Sequence, residues 1–592
     1  MQVRGFKFLI LLLFFSPHFL FSFNFSSKIF SNLHNDRYWH TLLHFKNGES
    51  EIDDEKFFLS PNGKQDAKAE LKETIKALLR DKNEIICRFP ARINWIMKKL
   101  PELKSEVGEY SCKEIDKLID DFDPKQISLI FPTAHINSPA SMYGHTLLRI
   151  DADKDTPLLS QAINYAAKTE EDNGILFAFY GLSGGYEGRY TILPYYDKVK
   201  EYSDMEARDI WEYELNLNQD EIKLLLYHQF ELKDIYADYL FMTENCSYNL
   251  LWLLESARAN TYLVDEFRFK AVPIDTIRSL KSAGFIKNIT YRASKSKKIK
   301  AITLKIEDKN RAKKFLQDGY NFNLLKDFND TQKAHILDLS THMLQYKRSK
   351  NKIDKKLYIK NLMMLLNTRS KLPSFDTDKI KEPINPLNGH KSNRVTLSID
   401  EDKRVFLAYK PVFHDIYDVD SGFTEGAYIN FFDLVLKKDK HSDIKLEKFD
   451  FVNIASYAKR DFLFKPLSWE VEAGWQRNHE DKLEFKLKGG VGYTYGKEGF
   501  LYYFFLNPAF YYASDAVFGI APKVGFIKNF LNFKVGLNLK TEFLTTGDKI
   551  TEFEAFTTYN LYKNLAINLK YDITKFKERD KKLGTISLFY YF

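Results

Sequence analysis

The chain changes its hydrophobic rhythm twice. Over residues 26–120 apolar positions recur at helical spacing. In 67–79, Leu71, Ile75, Leu78 and Leu79 share one face, which predicts an amphipathic helix. From about 125 to 265 the pattern is mixed. Short branched-residue runs at 127–131, 145–150 and 162–165 predict strands. Residues 135–143 read as a loop around Pro139, and the glycine-rich segment 181–190 reads as another. Helices are expected over about 220–236 and 246–258, then through a lysine-rich stretch that ends in a proline-containing linker, 381–390.

After residue 391 the period becomes two. Leu531, Phe533, Val535, Leu537, Leu539 and Phe543 alternate with Asn532, Lys534, Asn538, Lys540 and Glu542. Residues 483–495 and 469–475 repeat the scheme, as do about a dozen segments in all, separated by short polar turns. Uniform alternating strands with aromatic ends suit an antiparallel transmembrane β-barrel, in which every backbone polar group is paired within the lipid. A soluble sandwich is the alternative, but it has little use for such aromatic density. Residues 391–592 hold 41 Phe, Tyr and Trp, against 50 in the first 390 residues. The expected organisation is therefore a multidomain chain. A signal peptide (1–25) is followed by a mainly helical domain (26–120), a mixed α+β domain (121–265), a helical basic region with linker (266–390), and a barrel of about twelve strands (391–592).

Charge narrows the function classes. The 88 basic and 80 acidic residues of the 592 leave a net charge of +8, too balanced for a dedicated nucleic-acid binder. Residues 281–314 concentrate 12 basic against 2 acidic residues, a local excess that could attract anionic lipid headgroups, although most such runs are solvated faces. Arg4 and Lys7 precede an apolar run that Pro17 and His18 cut short, the form of a secretory signal peptide. Export permits disulfides. With three cysteines, Cys87 and Cys112, which flank a helical stretch, are expected to be bridged and Cys246 to be free. The closing strand ending at Phe592 resembles the assembly signal of bacterial outer-membrane proteins, which implies the barrel assembly machinery as a partner.

Cys246 is the candidate nucleophile. It sits where a helix is expected to begin, capped by Thr243, and the helix dipole with its unpaired N–H groups lowers a thiol pKa and can stabilise an oxyanion. The bland reading is an inert buried cysteine. A base must come from His135, His145 or His228, and spacing alone ranks none of them strongly. His145 follows Gly144 at the start of an expected strand. Asn164 on the next strand is the best placed group to orient it, ahead of Glu187 and Glu231. No metal-ligand spacing such as HExxH occurs, and neither a metal nor a cofactor is expected.

The pieces Ser141-Met-Tyr-Gly-His-Thr-Leu-Leu-Arg149, Gly184-Gly-Tyr-Glu-Gly188, residues 206–213 and Glu244-Asn-Cys-Ser247 resemble the Lnb N-terminal periplasmic domain family (DUF4105). Residues 87–92 resemble the segment preceding that domain. The family is similar to circularly permuted papain-like, NlpC/P60-type enzymes, with the histidine strand before the cysteine helix, the order this chain keeps. Its relatives include a lipoprotein N-acyltransferase. The resemblance thus implies Cys246 as the acyl-accepting nucleophile and His145 as base, with Asn164 assigned to orientation. Tyr143, Gly184, Gly185, Tyr186 and Asn245 are expected to form the loop covering substrate or the oxyanion, although for the glycine segment a plain turn is an equal reading. The expected function is an outer-membrane-anchored periplasmic thiol acyltransferase using phospholipid acyl donors or lipoproteins. A cysteine peptidase or amidase and a non-enzymatic binding protein are the alternatives.

Overall fold

The structure is a computed structural model describing residues 32–108, 112–134, 144–153, 156–169, 174–374, 380–440, 442–577 and 579–592. Its amino-terminal part is helical. Ala67–Arg80 begins at Asp66, whose carboxylate accepts from the Lys68 and Ala69 N–H groups, and it buries Leu71, Ile75 and Leu78. Pro90–Lys99 packs on the helix Gln219–Glu231, so this region shares one core with the domain that follows. Cys87 and Cys112 are joined by a disulfide with Cα atoms 5.2 Å apart, and Cys246 is free and buried.

The mixed domain is built on a seven-stranded antiparallel sheet: β1 (Pro124–Pro132), β2 (Leu147–Ala152), β3 (Gln161–Lys168), β4 (Tyr186–Pro194), β5 (Ile210–Leu215), β6 (Tyr236–Tyr239) and β7 (Ile286–Arg292), in the order β6-β4-β3-β2-β1-β5-β7. The edge strand β7 lies in the basic stretch expected to be helical. Its run Ile286-Lys-Asn-Ile-Thr-Tyr-Arg292 hid it, because at the sheet edge its central residues are exposed on both faces and leave no alternation of apolar and polar positions. The sheet therefore extends beyond residue 265. The 181–190 segment also differs from expectation. It comprises the end of a helix, Gly174–Ser183, a two-residue turn, and the start of β4. Gly184 takes φ +78 and the Gly185 N–H donates to the Tyr180 carbonyl, which caps the helix and lets Tyr186 enter the sheet opposite Tyr239.

Residues 295–369 form four helices around a second apolar core of Ile299, Phe315, Ile336, Leu339 and Leu365. Residues 380–393 then lead into a closed barrel of twelve antiparallel strands, with Val405–Lys410 continued by Val412–His414 counted as one. The first strand, Arg394–Asp400, pairs with the last, Arg579–Tyr591, from Arg394↔Tyr591 to Asp400↔Thr585. An even strand number returns both ends to one rim, where Asn393 and Phe592 exchange backbone hydrogen bonds. Alternation is direct: Tyr502, Phe504 and Leu506 face outward, while Leu501, Tyr503 and Phe505 are buried inside. The outer face is an apolar belt that includes Leu397, Leu407, Val524, Leu569 and Leu588. No helix among the described residues is long and apolar enough to cross a membrane.

Ion pairs tie the lumen together, among them Lys486–Asp450 at 2.9 Å and Lys523–Glu470 at 2.9 Å. The loop 415–426 folds into the lumen at the rim where the chain enters. There the Asp418 carboxylate meets Arg394 and accepts from the Tyr591 hydroxyl at 2.7 Å. Lys534 Nζ donates to the Asp418 carbonyl at 2.7 Å, and the Tyr417 hydroxyl donates to Glu554 at 2.7 Å.

Candidate functional site

The helix Cys246–Ala257 is buried along its whole length because its apolar residues, Leu250 to Leu254 with Trp252, leave no polar face. It packs on β2 and β3. Asn245, rather than Thr243, is its N-cap. Its Oδ1 accepts from the Ser247 and Tyr248 N–H groups, and its Nδ2 donates to the carbonyls of Phe241 (3.0 Å) and Ala271 (2.6 Å). With both ends of its amide engaged in holding the helix start, Asn245 positions Cys246 and has no donor left for an oxyanion.

Cys246 Sγ meets three groups: the His145 imidazole, the Thr146 backbone N–H and the Tyr239 hydroxyl. The Tyr239 hydroxyl also accepts from the Cys246 N–H at 3.2 Å. His145 stands two residues before β2, half-buried, with Nε2 2.8 Å from Asn164 Oδ1. With Nε2–H donating to that amide oxygen, Nδ1 is the nitrogen left for the thiol. Gly144 makes the approach possible: at φ +92 any Cβ would lie 2.5 Å from the Phe131 ring. Cys246, His145 and Asn164 are thus brought into one line.

Electrostatics favour the ion pair. Burial pushes the Cys246 thiol up, but the facing His145 charge and the hydrogen bonds from His145, Thr146 and Tyr239 outweigh it and bring the thiol down to about 7. Burial pulls His145 down, while the Cys246 thiolate and the bond to Asn164 raise it above its ordinary value; Arg208 opposes them. Arg208 itself donates to the Pro132 carbonyl at 2.8 Å, and the Tyr202 ring stands 5.7 Å from the imidazole. Burial and the neighbouring Glu51, Asp53 and Asp238 hold Glu244 up to about 7.

His228 has a different job. It lies buried with Nε2 3.0 Å from His44 and Nδ1 3.0 Å from Glu231, whose carboxylate also accepts from the Arg92 N–H at 2.9 Å. Glu187 pairs with Arg189 at 2.8 Å. His135 and Tyr143 lie outside the described residues. Gly184, Gly185 and Tyr186 form the turn and strand start beside Tyr180 and 238–240, one strand away from Tyr239. Tyr239 and the Thr146 N–H escaped sequence reasoning. Tyr239 reaches Cys246 only because β6 runs into the turn before the helix, and a backbone N–H leaves no trace in composition.

Two surroundings stand out. The helix Gly174–Ser183 exposes Leu176, Phe179, Tyr180 and Leu182. It is coupled to the site by the Phe241 N–H, which donates to the Gly181 carbonyl at 2.8 Å, and by Phe241 packing edge-on against Tyr239. A cavity of 2870 Å³ runs from Thr133 and Ala134 at the end of β1 to the barrel rim at Lys459 and Arg460, lined on the way by Lys298, Lys300 and Lys305. Neither Cys246 nor His145 lines it, so it neighbours the thiol site without containing it.

Four family models tile the chain. The Lnb N-terminal periplasmic domain matches residues 114–283, and domains of unknown function DUF7843, DUF7842 and DUF7840 match 31–99, 289–379 and 383–591. No curated protein matches the chain in sequence. Among solved structures the KdgM porin is 13% identical, with 34% of this chain and 98% of the porin covered at a TM-score of 0.22. A bacterial polysaccharide outer membrane secretin is 8% identical (34% and 99% covered, TM-score 0.22). A loop-deletion mutant of OmpT, an outer membrane protein of Vibrio cholerae, is 9% identical (34% and 97% covered, TM-score 0.18). The closed, apolar-belted barrel and the periplasmic-domain match make the chain an outer-membrane protein with a periplasmic segment.

Proposed function

From a chain that is an outer-membrane barrel carrying an Lnb-type periplasmic domain, we propose a thiol acyltransferase with a papain-like Cys246–His145–Asn164 arrangement. The observation that carries it is a buried helix-start thiol in hydrogen-bond contact with His145, one contact away from a helix that exposes Leu176, Phe179, Tyr180 and Leu182. An apolar surface beside a nucleophile suits an acyl chain better than a polar peptide.

The steps follow from these groups. Cys246 Sγ attacks an ester carbonyl of a phospholipid, forming C–S and breaking C–O, and the proton held on His145 goes to the departing alkoxide. The Tyr239 hydroxyl, which faces Sγ in the resting site, is the donor at the helix start that supports the oxyanion once the C–S bond has formed. An amine, such as a lipoprotein N-terminus, then attacks the thioester. C–N forms, C–S breaks, His145 takes the amine proton, and the thiolate returns. The basic cavity between the mixed domain and the barrel rim supports an anionic headgroup nearby.

The test is intact-mass analysis of the purified protein with phospholipid and then with an amino-terminal lipopeptide. An acyl adduct on Cys246, absent from Cys246→Ser and passed to the peptide amine, is expected. Release as free fatty acid instead makes the protein a hydrolase. A thiol that never acylates leaves the binding-protein reading.

A further inference from the structure

At the barrel rim, where the linker from the periplasmic domain enters, three buried side chains converge. His390 ends the linker, His414 ends the strand Val412–His414, and Asp418 belongs to the loop folded into the lumen. His390 Nδ1 lies 2.7 Å from the Lys391 carbonyl, which can only accept, so Nδ1 carries the proton and Nε2 presents its lone pair. His414 Nε2 lies 2.9 Å from Asp420 Oδ1, already a partner of Lys534 at 2.8 Å, so Nε2 is the protonated nitrogen and Nδ1 presents its lone pair. Those two lone-pair nitrogens face each other at 3.1 Å. Asp418 Oδ2 lies 3.9 Å from both.

Two rings arranged this way need a cation between their facing nitrogens, either a metal ion or a shared proton. Zinc–nitrogen bonds of about 2.0–2.1 Å at near-tetrahedral angles place two ligand nitrogens roughly 3.1–3.4 Å apart. The nitrogen spacing has that value, whereas Asp418 Oδ2, 3.9 Å from each nitrogen and accepting from the Asp415 N–H at 2.9 Å, must close in by about half an ångström to complete the set. Each imidazole also has the outer partner typical of a metal ligand, a backbone carbonyl for His390 and a carboxylate for His414. The rings are fixed by stacking: Phe423 lies 4.1 Å from His414, and Tyr591 lies 4.1 Å from His390.

We propose that His390, His414 and Asp418 form a binding site for a divalent transition-metal cation of the zinc class, with the fourth position open to water. Its place in the fold gives it a role. Arg278, on the helix Pro273–Ser282 that packs against the cysteine helix, donates to the carbonyls of Pro386, Gly389 and His390. A cation on His390 therefore clamps the linker, already gripped by the mixed domain, to the lumen loop and so to the barrel.

The test uses the full-length chain folded in detergent, in a Cys246→Ser background so that no thiolate competes for metal. After chelator stripping and dialysis against zinc, one zinc per chain is expected by mass spectrometry. His390→Asn and His414→Asn should each weaken zinc retention at least tenfold, whereas His479→Asn, on an outer turn, should not change it. Cobalt(II) in the unsubstituted His390/His414 chain should give visible d–d absorption of nitrogen and oxygen ligation, a readout that needs no barrel variant. Zinc retention equal in the His390→Asn, His414→Asn double variant and its parent, or cobalt bands that survive in that double variant, overturns the proposal. So does a parent chain that retains no zinc, which identifies the pair as sharing a proton instead.

Discussion

Replacing His145 by Ala removes the partner that holds the Cys246 thiol low. The structure brings that thiol from an ordinary 9.0 to about 7, a difference of about 2.7 kcal/mol at 1.36 kcal/mol per unit. Without His145 the burial of Cys246 is unopposed by a facing charge, and its midpoint should return to 9 or above. The disulfide joins the other two cysteines, so an aromatic disulfide reagent reports Cys246 alone. At pH 7 the native thiol is about half ionised, whereas the variant is about 1% ionised, roughly a fifty-fold loss of thiolate. Thiolate nucleophilicity rises with pKa at a slope of about 0.4–0.5, which returns roughly six- to tenfold. The variant should therefore react about five- to eightfold more slowly at pH 7. The order should invert at about pH 8, where the roughly six- to tenfold greater reactivity of the more basic thiolate offsets its smaller ionised fraction. Stopped-flow absorbance from pH 5 to 10.5 measures both limbs. Superimposed profiles, or a native midpoint near 9, would refute the ion pair.

Asn164→Ala removes one hydrogen bond to His145 and should slow thiol acylation up to about tenfold, while leaving the fold intact by circular dichroism. Replacing Cys87 and Cys112 together by Ser should destabilise the amino-terminal region by about 3.5 kcal/mol, the loop-entropy value for a separation of 25 residues, in denaturant titration followed by the fluorescence of Trp39 and Trp95. Gly188→Ala places a Cβ 2.2 Å from the Tyr165 hydroxyl. By pushing Tyr165 against its stacked neighbour Tyr239 it should cost about 1–3 kcal/mol and slow Cys246 labelling in the same variant. In sealed cells, protease should cleave residues 26–390 only after the outer membrane is opened, and cleavage before that would place the thiol domain outside.

The barrel was legible because lipid and lumen impose opposite demands on successive residues, so Phe533 to Phe543 writes its own register. The order of His145 before Cys246, and an amide on the neighbouring strand, could also be read from the chain. What could not be read depends on chain reversal in space. Tyr239 joins Cys246 through a turn, and Asn245 and Thr243 are equally good caps until the backbone chooses between them. The strand β7 is an exposed edge strand with no apolar–polar alternation, set beside a lysine-rich helical stretch. His390, His414 and Asp418 have no metal-ligand spacing and meet only when a loop is drawn into the barrel.

That loop also bears on how the barrel is made. Tyr591, on the last strand, donates to Asp418, and Arg394, on the first strand, grips the same carboxylate. The seam between first and last strands is thus fastened from within by a residue of neither. Seating the loop and closing the cylinder become a single cooperative event. An insertion intermediate with its seam open also has its loop unseated, and the periplasmic domain reaches its final station only when the last strand arrives.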